Sequence, residues 1–149
     1  MTSPYTGACA CGAIRYEIAE EPAIMNLCQC RQCQRESGSG HGAHLTFAGA
    51  TVTVSGNPVW WESVGENGTR KRRGFCPTCG SPMFIALPDM PEIFITSAAS
   101  LDDPSRYRPQ AIYWTAAGHA WDRIDPALAA FEKLPPELTP APATTGVAK

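Results

Sequence analysis

The sequence has no apolar run of the roughly 18 to 20 residues that a membrane-spanning helix requires. Its first residues, "MTSPYTGACACG", lack the basic segment followed by an apolar one that marks a secretory signal. Neither sign of charge dominates, because 12 Lys and Arg stand against 14 Asp and Glu, a formal net charge of -2. These absences argue against a membrane protein and against a nucleic-acid binder, so we expect a protein of the cytoplasm.

Internal repeats and long helical patterns are also missing. A chain of 149 residues without a repeat is the size of one domain. Fourteen Pro and 13 Gly divide it into short intervals rich in β-branched and aromatic residues, which are typical of strands. The fold class we predict is therefore mainly β, with few short helices. The candidate strands are residues 13–18, 44–47, 51–56, 58–63, 81–87, 92–98 and 110–115.

Helix is predicted in only three short places. Residues 30–38, "CRQCQRESG", favour a turn or two of helix, and residues 101–107 favour a short turn. Residues 125–134 predict a terminal helix, with Asp125 as N-cap and Pro126 at the first helical position. From Pro135 onward the chain is Pro, Thr and Ala without periodicity. We therefore expect one domain over residues 1–135 and a loose tail over 136–149.

What the sequence does have is seven cysteines, an odd number. Structural disulfides are rare in the reducing cytoplasm, and cysteines two positions apart on a strand project side by side from one face rather than toward each other. Such pairs suit a shared metal ion. The cysteines fall into three groups: Cys9 and Cys11; Cys28, Cys30 and Cys33; and Cys76 and Cys79.

The segment "FCPTCG" is the most specific short motif. Its Cys-Pro-x-Cys-Gly pattern folds two thiolates around one cation, and the final Gly accepts the backbone dihedral that the turn needs. A closed tetrahedral zinc needs two further ligands, which Cys9 and Cys11 supply from another strand. The simplest alternative, that these four are only small buried hydrophobes, fits their paired spacing poorly.

The remaining triplet, "CQCRQC", has no fourth cysteine. Cys28 and Cys30 share one face of a strand, and Cys33 reaches the same point across a turn, so the three predict a three-sulfur site. Three protein ligands and an open position distinguish a catalytic zinc from a structural one. Such a soft, anionic centre favours a substrate thiol, held as thiolate, over water.

Several alternatives stay open. Cys30 and Cys33 could instead join the knuckle at Cys76 and Cys79. His41, His44 or Glu36 could fill the fourth position and make the second zinc structural, and an iron–sulfur cluster would also need a fourth ligand. The two histidines could equally act as a general base or pack as hydrogen-bonded core side chains.

The order of these motifs resembles a known family. The segments "TGACACGAIRYEI", "CQCRQCQRESGSGHGAHLTF", "RGFCPTCGSPMF" and "YWTAAGHAWDRI" are similar to the glutathione-dependent formaldehyde-activating enzymes, also called the Gfa-like or centromere protein V-like family. The likeness extends over roughly residues 5–135. One departure is that His41 and His44 stand where the family tends to have aromatic residues.

The resemblance implies a fold and an activity. The fold is Mss4-like, several small antiparallel sheets stapled by zinc. The type activity condenses formaldehyde with glutathione to S-hydroxymethylglutathione, which is carbon–sulfur lyase chemistry. Matching positions imply two zinc ions per chain, a structural one held by Cys9, Cys11, Cys76 and Cys79 and a catalytic one held by Cys28, Cys30 and Cys33.

Two further sets of residues are candidates for binding a ligand. The run "RKRR", Arg70 to Arg73, suits the carboxylates of glutathione or a nucleic-acid phosphate, but it also fits a solvated hairpin strand. Trp60, Trp61, Trp114 and Trp121 suit a pocket lining, although aromatic residues of a small β-domain more often belong to the core.

These patterns lead to one hypothesis and one rival. The hypothesis is an enzyme in which one zinc holds the fold and the other presents a thiolate, such as that of glutathione, to a small aldehyde or related electrophile. The rival is a zinc-stabilised binding module that catalyses nothing and docks a macromolecule through its sheet surface or through Arg70 to Arg73. The oligomeric state is not predicted.

Overall fold

A computed structural model of the chain describes residues 2–138, and these form a mainly β structure, as predicted. None of the helices in this part of the chain has the length and apolar character needed to cross a membrane. The strands are β1 (Tyr5–Ala8), β2 (Arg15–Ile18), β3 (Ile24–Cys28), β4 (Gly42–Ala48), β5 (Val52–Ser55), β6 (Val59–Val64), β7 (Arg70–Phe75), β8 (Pro82–Ala86), β9 (Ile93–Ser97), β10 (Ala111–Tyr113) and β11 (Ala129–Ala130). The helices are α1 (Arg31–Ser37) and the 3₁₀ segments Ala98–Ser100, Pro104–Arg106, Thr115–Ala117 and Pro136–Leu138.

The strands form two sheets. A three-stranded antiparallel sheet has the order β1-β2-β5, and an eight-stranded sheet has the order β11-β10-β3-β4-β9-β8-β7-β6. The larger sheet is antiparallel from β3 to β6, but β10 pairs in parallel with both β3 and β11. The antiparallel sheets expected from the sequence are present, although most strands belong to one large sheet.

The main core lies between the two sheets. Strand β2 alternates exposed and buried residues, so Tyr16 and Ile18 point inward. The Tyr16 ring meets Phe84 of the large sheet edge to face at 5.5 Å between centroids, and Tyr5 meets Phe47 at 5.7 Å. These contacts hold the small sheet against the large one, because aromatic pairs add to the area that they bury.

All seven predicted strands are present, with ends that differ by at most two residues. The strand predicted over residues 110–115 ends at Tyr113, because Trp114 adopts a left-handed conformation with φ of 61°. Four strands, β1, β3, β7 and β11, have no counterpart among the seven candidate ranges. The turn or two of helix predicted over residues 30–38 is α1, and the turn over residues 101–107 contains Pro104–Arg106.

The predicted terminal helix over residues 125–134 is wrong. The Asp125 carboxylate does accept from the backbone N–H of Ala127 at 2.9 Å, but a turn follows, and Ala129–Ala130 then pairs with β10. Phe131 continues this pairing through a backbone bond to Ile112, and its ring packs on Tyr113. A lone ten-residue helix is marginal in water, whereas the edge of β10 offers both hydrogen bonds and apolar contacts.

The end of the chain lies mostly outside the described residues. Pro136–Leu138 forms a 3₁₀ segment, and residues 139–149 of the predicted tail are not described. The division of the chain at residue 135 therefore stays a prediction.

Candidate metal centres

The first cysteine cluster joins the two sheets. Cys9 and Cys11 lie in the connection between β1 and β2, and Cys76 and Cys79 lie in the connection between β7 and β8. The four Sγ atoms all lie within 4.8 Å of one another, although Cys11 and Cys76 are 65 residues apart in sequence. The grouping is the one that the sequence predicted.

The distances between these sulfurs suit zinc. Four sulfurs at about 2.3 Å from a tetrahedral zinc lie about 3.8 Å from one another. The Sγ atoms of Cys9 and Cys11 are 3.6 Å apart, and those of Cys11 and Cys76 are 3.7 Å apart. Cys9 and Cys76 are buried, while Cys11 and Cys79 are exposed. The donor set and its spacing therefore fit a closed tetrahedral site at the surface.

Polar neighbours orient these sulfurs. The Ile14 N–H donates to Cys9 Sγ at 3.2 Å, and Ser81 Oγ lies 3.1 Å from Cys79 Sγ. Hydrogen bonds from Ser81 lower the pKa of Cys79 to about 5, which favours the thiolate that a metal ion binds. Gly80 has a φ of 75° and its N–H closes the turn onto the Cys76 carbonyl, as the Cys-Pro-x-Cys-Gly motif predicts.

Ser81 is a residue that the sequence interpretation missed. Its Oγ also accepts from the backbone N–H of Ala10 at 3.1 Å, so one hydroxyl connects the two cysteine turns. Ser81 directly follows Gly80, the last residue of the Cys-Pro-x-Cys-Gly motif, so its place in the sequence could have drawn attention to it. Nothing in the sequence shows, however, that Ala10 lies beside it.

The second cluster lies where β3 ends and α1 begins, and we call its three sulfurs the tripod. Cys28 is the last residue of β3, Cys30 is the extended N-cap of α1, and Cys33 lies in the first turn of that helix. The three Sγ atoms lie within 4.8 Å of one another. The Cys33 N–H donates to Cys30 Sγ at 3.3 Å, which fixes the cap and the sulfur together.

The three sulfurs of the tripod affect one another's ionisation. Hydrogen bonds among them are the main cause of their pKa shifts, which lower the pKa of Cys30 and raise the pKa values of Cys28 and Cys33. A divalent cation would let all three sulfurs ionise, because its charge offsets their mutual repulsion.

The tripod is open on one side. Cys28 and Cys33 are buried, whereas Cys30 is only half-buried. Among residues 2–138, no His, Asp or Glu joins the three sulfurs as a fourth close ligand. Beside Cys33 lies a cavity of about 40 Å³, lined also by Glu36, His44 and Phe84.

The three candidates for a fourth ligand are otherwise engaged or outside the cluster. The Glu36 carboxylate accepts from Nε of Arg73. His41 Nδ1 lies 2.9 Å from Oδ1 of Asp122. His44 lines the cavity, and burial, followed by the charge of Arg73, lowers its pKa to about 4, so its imidazole is neutral at neutral pH.

The sequence did not predict a polar network that holds the segment carrying the tripod. Asp122 is a nearly buried carboxylate, and besides His41 it accepts from Gln29 Nε2 at 3.0 Å. Gln34 donates to the Gln29 carbonyl at 2.8 Å and lies 3.0 Å from Nε2 of His119. The two glutamines alternate with the cysteines in "CQCRQCQ", so the same short segment supplies the sulfurs and the amides that hold them.

The side chains of the basic run, Arg70 to Arg73, alternate between the two faces of β7. Arg70 and Arg72 face away from α1: Arg70 pairs with Asp89 at 2.8 Å, and the Arg72 guanidinium lies 5.0 Å from the Trp60 ring centroid. Arg73 is buried on the opposite face, where it pairs with Glu36 of α1. Lys71 shares that face with Arg73. The run is therefore not a continuous basic surface, which removes the main support for a phosphate-binding role.

The four tryptophans also lie in different environments. Trp60 stacks on Phe84 at the main core, and Trp114 packs against the cluster that contains the tripod. Trp61 and Trp121 are exposed. Trp60 therefore packs against the core cluster that contains Cys9 and Cys76, and Trp114 packs against the cluster that contains Cys28 and Cys33.

Together, the fold and these clusters define a class: a mainly β protein with a closed four-cysteine site and an open three-cysteine site, both suited to a thiophilic metal. Residues 4–117 match the family described as glutathione-dependent formaldehyde-activating enzyme. The chain belongs to this family, and the resemblance drawn from its motifs is confirmed. The match ends at Ala117, short of the predicted extent to residue 135.

One similar protein carries the name of this family, and one solved structure shares the fold. A protein of Halomonas elongata named "Putative glutathione-dependent formaldehyde-activating enzyme" is 25% identical over 112 residues, which cover 72% of this chain and 71% of that protein. The crystal structure of a Rhodobacter sphaeroides protein aligns with a TM-score of 0.53 and 18% identity, over 85% of this chain and 98% of that one. The second likeness supports the fold alone.

Proposed function

We propose that this chain is a zinc-dependent enzyme of the carbon–sulfur lyase type, which forms or cleaves the adduct of glutathione, or of another thiol, with formaldehyde or a related small electrophile. The observation that carries the proposal is the tripod with an open fourth side and a cavity beside it. Family membership supports the substrates, because the family description names glutathione and formaldehyde.

In this proposal the chain holds two zinc ions. Cys9, Cys11, Cys76 and Cys79 hold the structural ion, and Cys28, Cys30 and Cys33 hold the catalytic one. Zinc bound by three thiolates is a soft centre with an open position, which favours a fourth sulfur ligand in its thiolate form. The thiols must stay reduced, which agrees with a protein of the cytoplasm. The zinc-binding domain is proposed to extend over residues 1–135, followed by the tail.

The bond changes are simple. The substrate sulfur, having lost its proton, donates an electron pair to the carbonyl carbon of formaldehyde, and a carbon–sulfur bond forms. The π pair of the C=O bond moves to oxygen, which takes up one proton, so the proton lost by the thiol balances the proton gained by the hydroxymethyl group. The reverse sequence releases the aldehyde.

The chain's own residues position and shield the reacting groups. Gln29 and Gln34 fix the segment that carries the tripod, and Asp122 anchors Gln29 and His41 in turn. Because Cys28 and Cys33 are buried, a substrate approaches along the half-buried side of Cys30. Orientation of a thiolate and an aldehyde at one place is itself a source of rate acceleration.

The experiment must separate catalysis from the uncatalysed reaction, since thiols add to formaldehyde unaided. Exchange NMR with ¹³C-formaldehyde and glutathione measures the rate at which the S-hydroxymethyl adduct forms and breaks. The zinc-loaded protein should raise this exchange rate in proportion to its concentration, and Cys30→Ser should abolish the increase while the fold is kept. Equal exchange rates with and without protein would overturn the proposal.

A further inference from the structure

The three histidines differ in what their rings contact. His41 and His119 each bond to a side chain of the polar network, whereas neither ring nitrogen of His44 has a hydrogen bond or an ion pair among residues 2–138. Fully buried polar side-chain atoms in this part of the chain all have a partner, so the His44 nitrogens are accessible to a ligand. The side chain itself is partly buried on β4.

The residue opposite His44 also has a hydroxyl without a partner. His44 on β4 and Ser97 on β9 are Cα partners, so their side chains lie side by side on one face of the sheet. Ser97 precedes the 3₁₀ segment Ala98–Ser100, at a position where serine commonly caps a helix, but its side chain makes no cap bond. Among the described residues its hydroxyl has no other hydrogen bond, so it is a second available donor.

Both side chains line the cavity beside the tripod, together with Cys33 and the apolar side chains of Met83 and Phe84. A volume of about 40 Å³ has room for about three water-sized groups. That space suits a small carbonyl compound, and it is too small for a tripeptide thiol. We therefore assign the cavity to the electrophile.

The other polar side chains at the cavity are engaged. The Glu36 carboxylate accepts from Arg73, and the Ser37 hydroxyl donates to a backbone carbonyl at 3.4 Å. The tripod sulfur at the cavity is a proposed metal ligand. Within the described part of the chain, His44 and Ser97 are therefore the lining side chains with an unused donor.

The imidazole lies between β4 and the tripod. Gly42 is the Cα partner of Cys28 and also lines the cavity. A Cβ placed on Gly42 would lie 3.0 Å from Nε2 of His44 and 3.2 Å from Cβ of Cys33. One point is thus in contact range of both side chains, and the missing side chain of Gly42 leaves the imidazole beside the tripod.

We propose that His44 and Ser97 form a donor pair that binds the carbonyl oxygen of the aldehyde as negative charge develops on it. The inference rests on the proposed function, because the aldehyde reacts with the thiolate at the tripod. An imidazole carries at least one N–H whether it is neutral or protonated, and the hydroxyl carries one O–H. Donors that are fixed before the reaction, in a cavity with an apolar wall, stabilise an oxyanion better than mobile water does.

The test measures adduct exchange by ¹³C NMR on zinc-loaded variants. His44→Leu removes the ring donors, and kcat should fall about 100-fold, the lower end of the loss for one oxyanion donor, with KM for glutathione unchanged. His44→Gln keeps an N–H and should regain about tenfold of that loss. Ser97→Ala should lower kcat about tenfold, as expected for a hydrogen bond to a charged group.

Thr46→Val is the matched control. Thr46 is the next residue on the same face of β4 and lies outside the cavity, so removal of its hydroxyl should leave kcat unchanged. Metal analysis and calorimetric titration check the tripod, because each variant should keep two zinc ions per chain and bind glutathione as tightly as the wild-type protein does.

The possible outcomes distinguish the two proposals. An unchanged kcat in His44→Leu or in Ser97→Ala overturns the donor pair while the proposed function stands. Loss of a zinc ion or weaker glutathione binding in His44→Leu also overturns it, because His44 would then act on the tripod. If His44→Leu does not fold, Ser97→Ala decides the question by the same criterion. If the wild-type protein does not accelerate exchange, both proposals fall.

Discussion

At the residue scale, cysteine spacing was the most informative part of the sequence. Ligands within a few positions of one another have little choice of where their side chains meet, so the local triplet and the two pairs could be predicted as groups. Asp122 could not, because it lies 93 residues from Gln29 and no local pattern marks it. The roles weighed for His41 and His44 also needed the structure, since the partner of His41 is that same carboxylate.

Asp122 gives a prediction at this scale. Asp122→Asn should lower the free energy of unfolding by about 1 to 3 kcal/mol, because an amide cannot accept from both His41 and Gln29 as the buried carboxylate does. The variant should also slow adduct exchange, since Gln29 then loses its anchor beside the tripod. Denaturant unfolding measures the first effect and exchange NMR the second.

A matched control is Asp102→Asn, which removes a carboxylate from an exposed pair with Arg15. Exposed pairs contribute roughly 0 to 1 kcal/mol, so this variant should be close to the wild-type protein. Equal effects of the two substitutions would show that Asp122 does not have the positioning role described.

At the element scale, strands were predicted better than helices. Alternation of polar and apolar residues reports directly on a sheet with one covered face, as in β2. The local signals for the helix predicted over residues 125–134 were correct, since Asp125 does cap a turn. The segment nevertheless pairs with the free edge of β10 and does not form a helix. Pairing between distant segments is a tertiary effect that local propensity does not contain.

The two cysteine clusters predict different consequences when a ligand is lost. Cys76→Ser should unfold the domain, because this cluster joins the β1–β2 and β7–β8 connections and a closed zinc site supplies about 10 to 16 kcal/mol of metal-linked folding energy. That is as much as the whole stability of a typical domain. The Cys30→Ser variant should stay folded, because the three sulfurs of the tripod come from one continuous segment.

Circular dichroism with thermal unfolding compares the two variants. The expected result is a lost transition for Cys76→Ser and a transition near that of the wild-type protein for Cys30→Ser. Collapse of both variants to the same degree would contradict the division into a structural and a catalytic site.

At the scale of the whole molecule, the two cysteine clusters lie in different parts of the fold. The closed cluster connects two sheets that share the main core, whereas the tripod lies at the junction of β3 and α1, with a smaller apolar cluster of its own. The order of the motifs was enough to predict the family. It did not predict the larger sheet, whose parallel pairing of β10 with β3 joins residues about 85 apart. A sequence pattern reports which face of a strand is buried, and it does not report the neighbouring strand.

The central claim is that the tripod accepts the sulfur of a substrate. Zinc K-edge X-ray absorption of the fully loaded protein counts the sulfur atoms bound per zinc, before and after glutathione is added. The account predicts that the average sulfur count rises on addition of glutathione, and that Cys76 and its partners contribute the same four sulfurs throughout. A sulfur count that does not change at saturating glutathione would contradict the claim.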